Sequence, residues 1–527
     1  MTKARDIADF KFENIVDTGT EGTKLASGTT AQRGSTTGQF RFNSTTGKFE
    51  GRNASGFVSI EVSPIVSSVN NTNITQAQID AGFDLVITGN NFSSGDTVKF
   101  IANDDTEFTS PTTTINSATQ ISARVTSTID ATKEPYKVQV ISAGGLTGIL
   151  NNAFNIDAKP IYTTASGNIL NTFEGSSVNT SIVATDPESD AITFAVQSGS
   201  LPTGLSISSG GVITGTAPSV SGSETSNFTI RATSGTNTTD RAFNIVVGDQ
   251  PTGGTISTYS SGGVNYRVHT FTSSGSLVYP IDNAVSILIV AGGGAGGAGT
   301  GGGGGAGGLI YIPSYNLVSG TWTCTIGNGG IGDSTDVGTA GENTIFTNGS
   351  RTLTALGGGY GGATEDTSSY SSSSGGSGGG GTDYYDAANT AGAATQPANT
   401  SDGVNTYNST GFGNQGGGGD NIPQTAWGGG GAGGYPTSTA QPACTYGGDG
   451  KQYDISGSNA YYAAGGQGGT GNPSYVNRTN NIGGSHTGSN GTAGVANTGS
   501  GGGGGWSHSS GTGGNGGSGI IIIRYVV

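Results

Sequence analysis

The chain has 527 residues, 32% of them hydrophobic and only 10% charged, with a formal net charge of −15. A surface this acidic and this short of Lys and Arg has little with which to neutralise phosphates, which excludes nucleic acid and anionic membranes as expected partners. Of the 101 glycines, 77 follow Thr252, beside 17 of the 19 tyrosines and all three tryptophans, whereas 15 of the 18 phenylalanines precede it, so the two halves rest on different physics.

In chain order, MTKARDIADF starts positive but lacks the apolar run of a secretory signal. The longest apolar stretch, GIIIIRYVV at 519–527, is far short of the roughly 20 residues of a membrane helix. The expectation is a protein that is not inserted in a membrane and leaves its cell by lysis. Short alternating runs broken by Gly, Asn, Asp and Ser recur along the first half, the pattern of β-sandwich modules. Only TQAQIDA at 75–81 reads as a helical turn.

A first module covers 1–61, with Phe40, Phe42, Phe49, Phe57, Val58 and Ile60 on hairpin-like pieces. A second covers 62–157, with Leu85 and Ile87, Val98 and Phe100, and Tyr136, Val138 and Val140 as inward-facing sets. A third covers 158–249, with Ile192, Phe194 and Val196, then Phe228 and Ile230, then Phe243, Ile245 and Val247. After a linker at 250–258, residues 259–527 alternate strands with glycine runs. The apolar terminus from Ile520 is expected to pair with AVSILIV at 284–290, tying the two ends of this domain together. The glycine runs then become long loops on a β core, and segments without side chains approach closely enough to bond laterally as polyglycine-II-like helices of three residues per turn. The predicted fold class is therefore all-β: tandem immunoglobulin-like β-sandwiches followed by a β core carrying long glycine-rich loops.

No catalytic constellation stands out. His269, His486 and His508 are remote from any zinc or triad pattern. Gly450-Lys451 is followed by Gln452, which breaks a phosphate-loop motif. No enzymatic activity is expected. Cys324 alternates with Trp322 and Ile326 on one strand face and reads as a buried free thiol rather than a partner of Cys444.

Several segments resemble known families. RGSTTGQFRFNSTTGKFEGRNASGFVSI (33–60) is similar to a short repeat of tail-fibre and other virion proteins of tailed bacteriophages, notably T-even-like cyanophages, which implies attachment to other virion proteins through the first module. FDLVITGNNFSSGDTVKF (83–100) resembles the IPT/TIG family of immunoglobulin-like folds. DPESDAITFAV (186–196) and LPTGLSISSGGVITGTAP (201–218) resemble putative-Ig and cadherin-like modules. In that family carboxylates at domain junctions bind Ca²⁺, and Glu174, Asp186, Glu188 and Asp190 match, with Asp249 at the exit. The alternative is a polar turn in which Asp186 and Asp190 bond their own backbone. No other cofactor is expected.

The arrangement VHTFTSSGSLVYP, VSILIVAGGGAGG and GSGIIIIRY resembles the glycine-rich domain of phage tail and virion appendage proteins, some of which are adhesins with packed polyglycine helices. That resemblance implies a virion location and a host-surface partner, a glycan or an outer-membrane protein. Aromatic residues within the loops supply rigid contact area with a polar handle, and Tyr384, Tyr385, Tyr407, Trp427, Tyr461, Tyr462 and Trp506 are the candidate receptor-binding residues. Two other readings stay open, a capsid decoration or fibre subunit and a bacterial surface adhesin. A homo-oligomer is compatible with each.

Overall fold

The computed structural model describes residues 16–17, 23–60, 62–365, 368–384, 387–388, 390–418, 425–436, 446–469, 482–507 and 511–527. It is all-β. The one α-helix among the described residues is Gln76–Asp80, held by Thr75, whose hydroxyl accepts from Gln78 N while Gln78 Oε1 accepts from Thr75 N.

The second module is a sandwich. One sheet orders Glu107–Thr109, Thr97–Ile101, Tyr136–Ile141, Thr147–Asp157 and Asn73–Thr75, and the other orders Thr113–Ser117, Gln120–Arg124, Asp84–Asn90 and Ile65–Val69. Alternation sends Leu85, Ile87, Phe100, Ile121 and Val138 into one shared core. Tyr136 is buried there with its hydroxyl donating to Asp130 O at 2.6 Å, which removes the cost of burying a phenol.

The third module repeats the two-layer plan, with a sheet of Gly167–Phe173, Asn237–Gly248, Ser223–Ser234 and Ile192–Gly199 facing one of Ser177–Ser181, Val212–Thr216 and Leu205–Ile207. Phe194, Phe228, Ile230, Phe243 and Ile245 fill its core. Val196 does not join them. The alternation holds as far as Val196, which lies opposite the buried Ile230, but this side chain is 38% exposed, just before the register shifts between Val196 and Ser198.

The segment expected to be a linker is partly a strand. Thr255–Ser261 pairs with Val264–Phe271 across Gly262 and Gly263, whose φ angles of 59° and 80° form the tight turn that only glycine enters cheaply. These two open a six-stranded sheet that continues through Ile520–Val526, Asn283–Val290, Leu309–Leu317 and Gly411–Phe412. The expected pairing of the C-terminal strand is present and antiparallel, from Ser286 opposite Arg524 to Val290 opposite Ile520. A second sheet, Gly275–Tyr279, Gly320–Thr325, Thr344–Thr347 and Thr352–Ala355, lies across it. Trp322 and Cys324 are fully buried between the two, and Cys324 is a free thiol.

Beyond the six-stranded sheet the glycine runs form a lattice. Residues 292–298 leave the sheet after Val290 and residues 301–308 return to it at Leu309. The returning segment is surrounded by six others. Its N–H groups turn successively to three of them: Gly301, Gly304 and Gly307 donate to Gly505, Gly502 and Gly499, Gly302 and Gly305 to Gly362 and Gly359, and Gly303 and Ala306 to Trp427 and Gly430, all at 2.8–3.0 Å. Its carbonyls accept from the remaining three, Gly302 O from Gly297 N, Gly303 O from Gly380 N and Gly304 O from Gly466 N. A partner that recurs every third residue is the signature of a three-residue helix turn. The buried main chain is thereby satisfied without any side chain. At Gly304 a β-carbon would collide with the Gly294 carbonyl oxygen, so the lattice spacing itself demands glycine.

Candidate functional site

The lattice has an inner end on the six-stranded sheet and an outer end where its segments turn. The outer end is built around three buried threonines: Thr300 N donates to Thr364 Oγ1 at 2.7 Å, and Thr382 Oγ1 donates to Thr300 O at 2.6 Å. Short pairs of strands stand there. Ala363–Glu365 pairs with Ser368–Tyr370, and Thr382–Tyr384 pairs with Ala387–Ala388 and with Thr425–Ala426. Thr300 and Trp506 form a β-bridge beside them.

Tyr384, Trp427 and Trp506 therefore share the outer end, brought from three separate parts of the sequence. The side chain of Trp427 is only 6% exposed and lies within the lattice, so it supports the end rather than offering a face. Trp506 is half-buried. Tyr384 is placed by its strand, and Tyr385 lies outside the described residues.

The other three candidates are at the inner end, which corrects the expectation of one aromatic surface. Tyr407 packs against Tyr315, with ring centroids 5.5 Å apart, and its hydroxyl reaches Asp402 Oδ2 at 3.4 Å. Tyr461 and Tyr462 sit on the hairpin of Lys451–Tyr453 and Ala460–Tyr462, which folds back over the sheet. Tyr462 is buried with Leu288, Ile455 and Ile522. Gln452 lies opposite the half-buried Tyr461. Tyr462 is drawn into the apolar cluster on one face of the sheet and Tyr407 against the core on the other, a demand invisible in a loop sequence.

The five candidate carboxylates are also divided. Glu174 Oε2 accepts from Val220 N at 3.3 Å and Asp249 Oδ2 from Gly222 N at 2.7 Å, both near the Gly248 end of the 12-residue strand Asn237–Gly248. Asp186, Glu188 and Asp190 lie toward the Asn237 end, about 40 Å away at the usual rise of a strand. There Glu188 Oε2 accepts from Ala158 N, and Asp186 Oδ1 accepts from Glu188 N at 3.0 Å and Asp190 N at 3.1 Å. The turn thus bonds its own backbone.

Burial first, and the Asp186 carboxylate after it, push Glu188 up to about 7. Burial likewise raises Asp157 and Glu134, with Asp190 adding to both. Asp186 Oδ2 and Glu188 Oε1 are buried without a hydrogen-bond partner. Two such oxygens fall short of the six to eight that Ca²⁺ takes. Among the described residues no three His, Cys, Asp or Glu side chains converge closely enough to ligate one ion. The residues as placed do not form a calcium cage.

His269 is fully buried, its ring held between Gly253 O at 2.7 Å and the Tyr525 hydroxyl at 3.0 Å. Burial lowers its pKa, so it is a neutral core residue. Among the described residues no helix is long and apolar enough to cross a membrane.

Residues 270–526 match the glycine-rich domain family, and residues 159–248 match the putative Ig domain family. No curated protein matches the chain. Among solved structures the chain is similar to the protocadherin gamma B4 extracellular domain, at 14% identity over 43% of this chain and 44% of that one, with a TM-score of 0.23. It is similar to extracellular domains 3–5 of Drosophila OTK, at 9% identity over 42% and 74% and a TM-score of 0.20. It is also similar to the insect immune protein hemolin, at 13% identity over 38% and 55% and a TM-score of 0.22. At these TM-scores the likeness reaches neither the overall arrangement nor function. Immunoglobulin-like and glycine-rich modules in one chain are the components of a structural or adhesive protein.

Proposed function

We propose that the chain is a bacteriophage virion component, a tail-fibre adhesin whose glycine-rich domain meets a glycan or outer-membrane protein of the host. The first module holds it to other virion proteins and the two immunoglobulin-like modules act as spacers. The observation that carries this reading is the outer end of the lattice, where Tyr384 ends a short strand and the half-buried Trp506 bridges to Thr300. A lattice bonded by its main chain in several directions holds such a surface rigid, so little ordering entropy is lost on contact. Several copies on one particle add weak contacts into useful avidity.

The test is binding of the purified full chain to intact host cells. Tyr384→Ala combined with Trp506→Ala is expected to weaken adsorption about tenfold or more, while Tyr461→Ala at the inner end leaves it unchanged. Equal adsorption by all three proteins overturns the adhesin reading. Antibody against the glycine-rich domain is expected to label fibre tips on intact particles. Label on the capsid would instead make the chain a decoration subunit.

A further inference from the structure

The first module carries an apolar surface that the described chain leaves open. Its strands Phe40–Asn43, Lys48–Asn53 and Gly56–Ser59 run antiparallel, with Phe40 opposite Gly51, Phe42 opposite Phe49 and Gly51 opposite Val58. Ile60 N donates to Phe49 O, which extends the pairing by one residue. Alternation therefore gathers Phe40, Phe42, Phe49, Val58 and Ile60 on one face of the sheet.

The opposite face is polar and fixed. Arg33, from the end of the turn at Thr30–Gln32, donates to Glu50 Oε2 through its Nη2 at 2.7 Å, and Asn43 Nδ2 donates to the same carboxylate oxygen at 2.9 Å. Arg41 donates to Gln32 O and Thr29 O. The guanidinium groups of Arg33, Arg41 and Arg52 stand 5.5, 6.0 and 5.5 Å from the centre of the Phe57 ring. Glu50 and Asn43 are fully buried in this network. A one-residue slip would turn these groups outward and break every contact, so the orientation of the sheet is locked from its polar side.

What that lock presents to solvent is Phe40 at 46% exposure, Phe49 at 47%, Val58 at 54% and Ile60 at 49%. The rings of Phe40 and Phe49 stack with centroids 6.0 Å apart, and Phe42 meets Phe49 edge-on at 5.3 Å. Beside them a groove of 330 Å³ lined by Ile60, Val62 and Phe92 continues the apolar strip toward the second module. Asn91, Phe92, Ser93 and Ser142 of the second module line the far side of that groove, and the exposures of Phe40, Phe49, Val58 and Ile60 are what remains open beside it.

We propose that this face is an interface with a second copy of the chain, the two sheets packing apolar face to apolar face about a twofold axis. A sheet with one apolar side is completed by a second layer, and an identical sheet supplies one of the same width and composition through an isologous contact. Apart from Lys48 at the rim of the groove, the residues of this face carry no ionisable side chain, so a partner chosen by charge would find little to read. The exposed parts of Phe40, Phe49, Val58, Ile60 and Val62 amount to about 500 Å² per copy, so two copies bury about 1,000 Å², the lower bound of a specific interface. The inference does not depend on the virion reading, because any appendage or surface fibre would use it in the same way.

The experiment is sedimentation equilibrium of the full chain across a concentration series reaching about 50 µM, where contacts of this size populate a dimer. Twice the 52.0 kDa chain mass is expected at the upper end. Phe40→Ser with Phe49→Ser is expected to weaken association by about tenfold or more and to leave circular dichroism and the thermal transition unchanged, since both positions are exposed. Val58→Lys, which sets two like charges against each other across the axis, is expected to do the same. A wild-type chain that stays monomeric throughout overturns the proposal, as does a dimer indifferent to both variants. So would a monomer that dimerises only after removal of residues 1–15, because the cover would then come from within the chain.

Discussion

Phe173 and Tyr525 lie with ring centroids 5.0 Å apart, although the first ends a strand of the immunoglobulin-like third module and the second belongs to the last strand of the glycine-rich domain. Tyr279 closes the group at 5.4 Å from Phe173. Asn171 Nδ2 donates to Asp282 O at 2.6 Å beside them. The core of the glycine-rich domain thus includes a residue of its neighbour, and this junction is a packed joint rather than a swivel.

Phe173→Ala should therefore cost about 3–5 kcal/mol, the price of emptying a fully buried ring site. Differential scanning calorimetry is expected to show the third module and the glycine-rich domain melting together and shifting together. Two transitions of which only one moves would mean that the joint does not couple them.

The lattice predicts a contrast between two glycines. Gly304→Ala places a methyl group against the Gly294 carbonyl and is expected to destabilise the domain by about 3 kcal/mol or more. Gly434→Ala meets no atom within 4 Å and should be neutral or stabilising by up to about 1 kcal/mol, because alanine narrows the unfolded ensemble. Thermal unfolding of the two variants decides it, and similar losses at both sites would argue against spacing as the reason for glycine.

Cys324 is fully buried beside Trp322 and Phe346, and burial pushes its thiol up to about 12. In a Cys444→Ser background it should resist alkylation at pH 8 in the folded protein and react within minutes in denaturant. Rapid labelling of the native chain would show that the core opens.

Glu188 gives the joint between the second and third modules a pH dependence. Its folded pKa of about 7 lies above the ordinary 4.5, so folding favours the protonated acid. The stabilisation is complete below pH 4.5 and is lost as the pH rises through 7. Between pH 5 and pH 8 the third module is expected to lose a few degrees of thermal stability, and Glu188→Gln should flatten that slope. Millimolar Ca²⁺ at pH 8 is expected to leave the transition where a chelator leaves it. A clear upward shift would show that the carboxylates rearrange into an ion site.

The sequence was informative wherever a periodicity had one physical solution. Alternating apolar residues in a strand have only two faces, so Leu85 with Ile87, Phe243 with Ile245 and Trp322 with Cys324 could be placed before their partners were known. An apolar terminus of matching length had to find the strand at 284–290, and polyglycine had to satisfy its own amides. The candidate carboxylates and aromatics were less legible, because a loop sequence holds no period that ties it to a face. Tyr462 and Trp427 read alike in the sequence, yet one is buried against the sheet and the other supports the far end of the lattice.

The amino-acid order by itself determined the element type, the sandwich cores and the need for a side-chain-free lattice, since those follow from local sterics and from the cost of unpaired buried amides. Only the tertiary structure decided that 301–308 is ringed by six neighbours, that Phe173 crosses into the next domain, and that Glu174 and Asp249 stand at the opposite end of the module from Asp186. Those are distances between segments remote in the chain, set by how whole layers pack, and no local pattern encodes them.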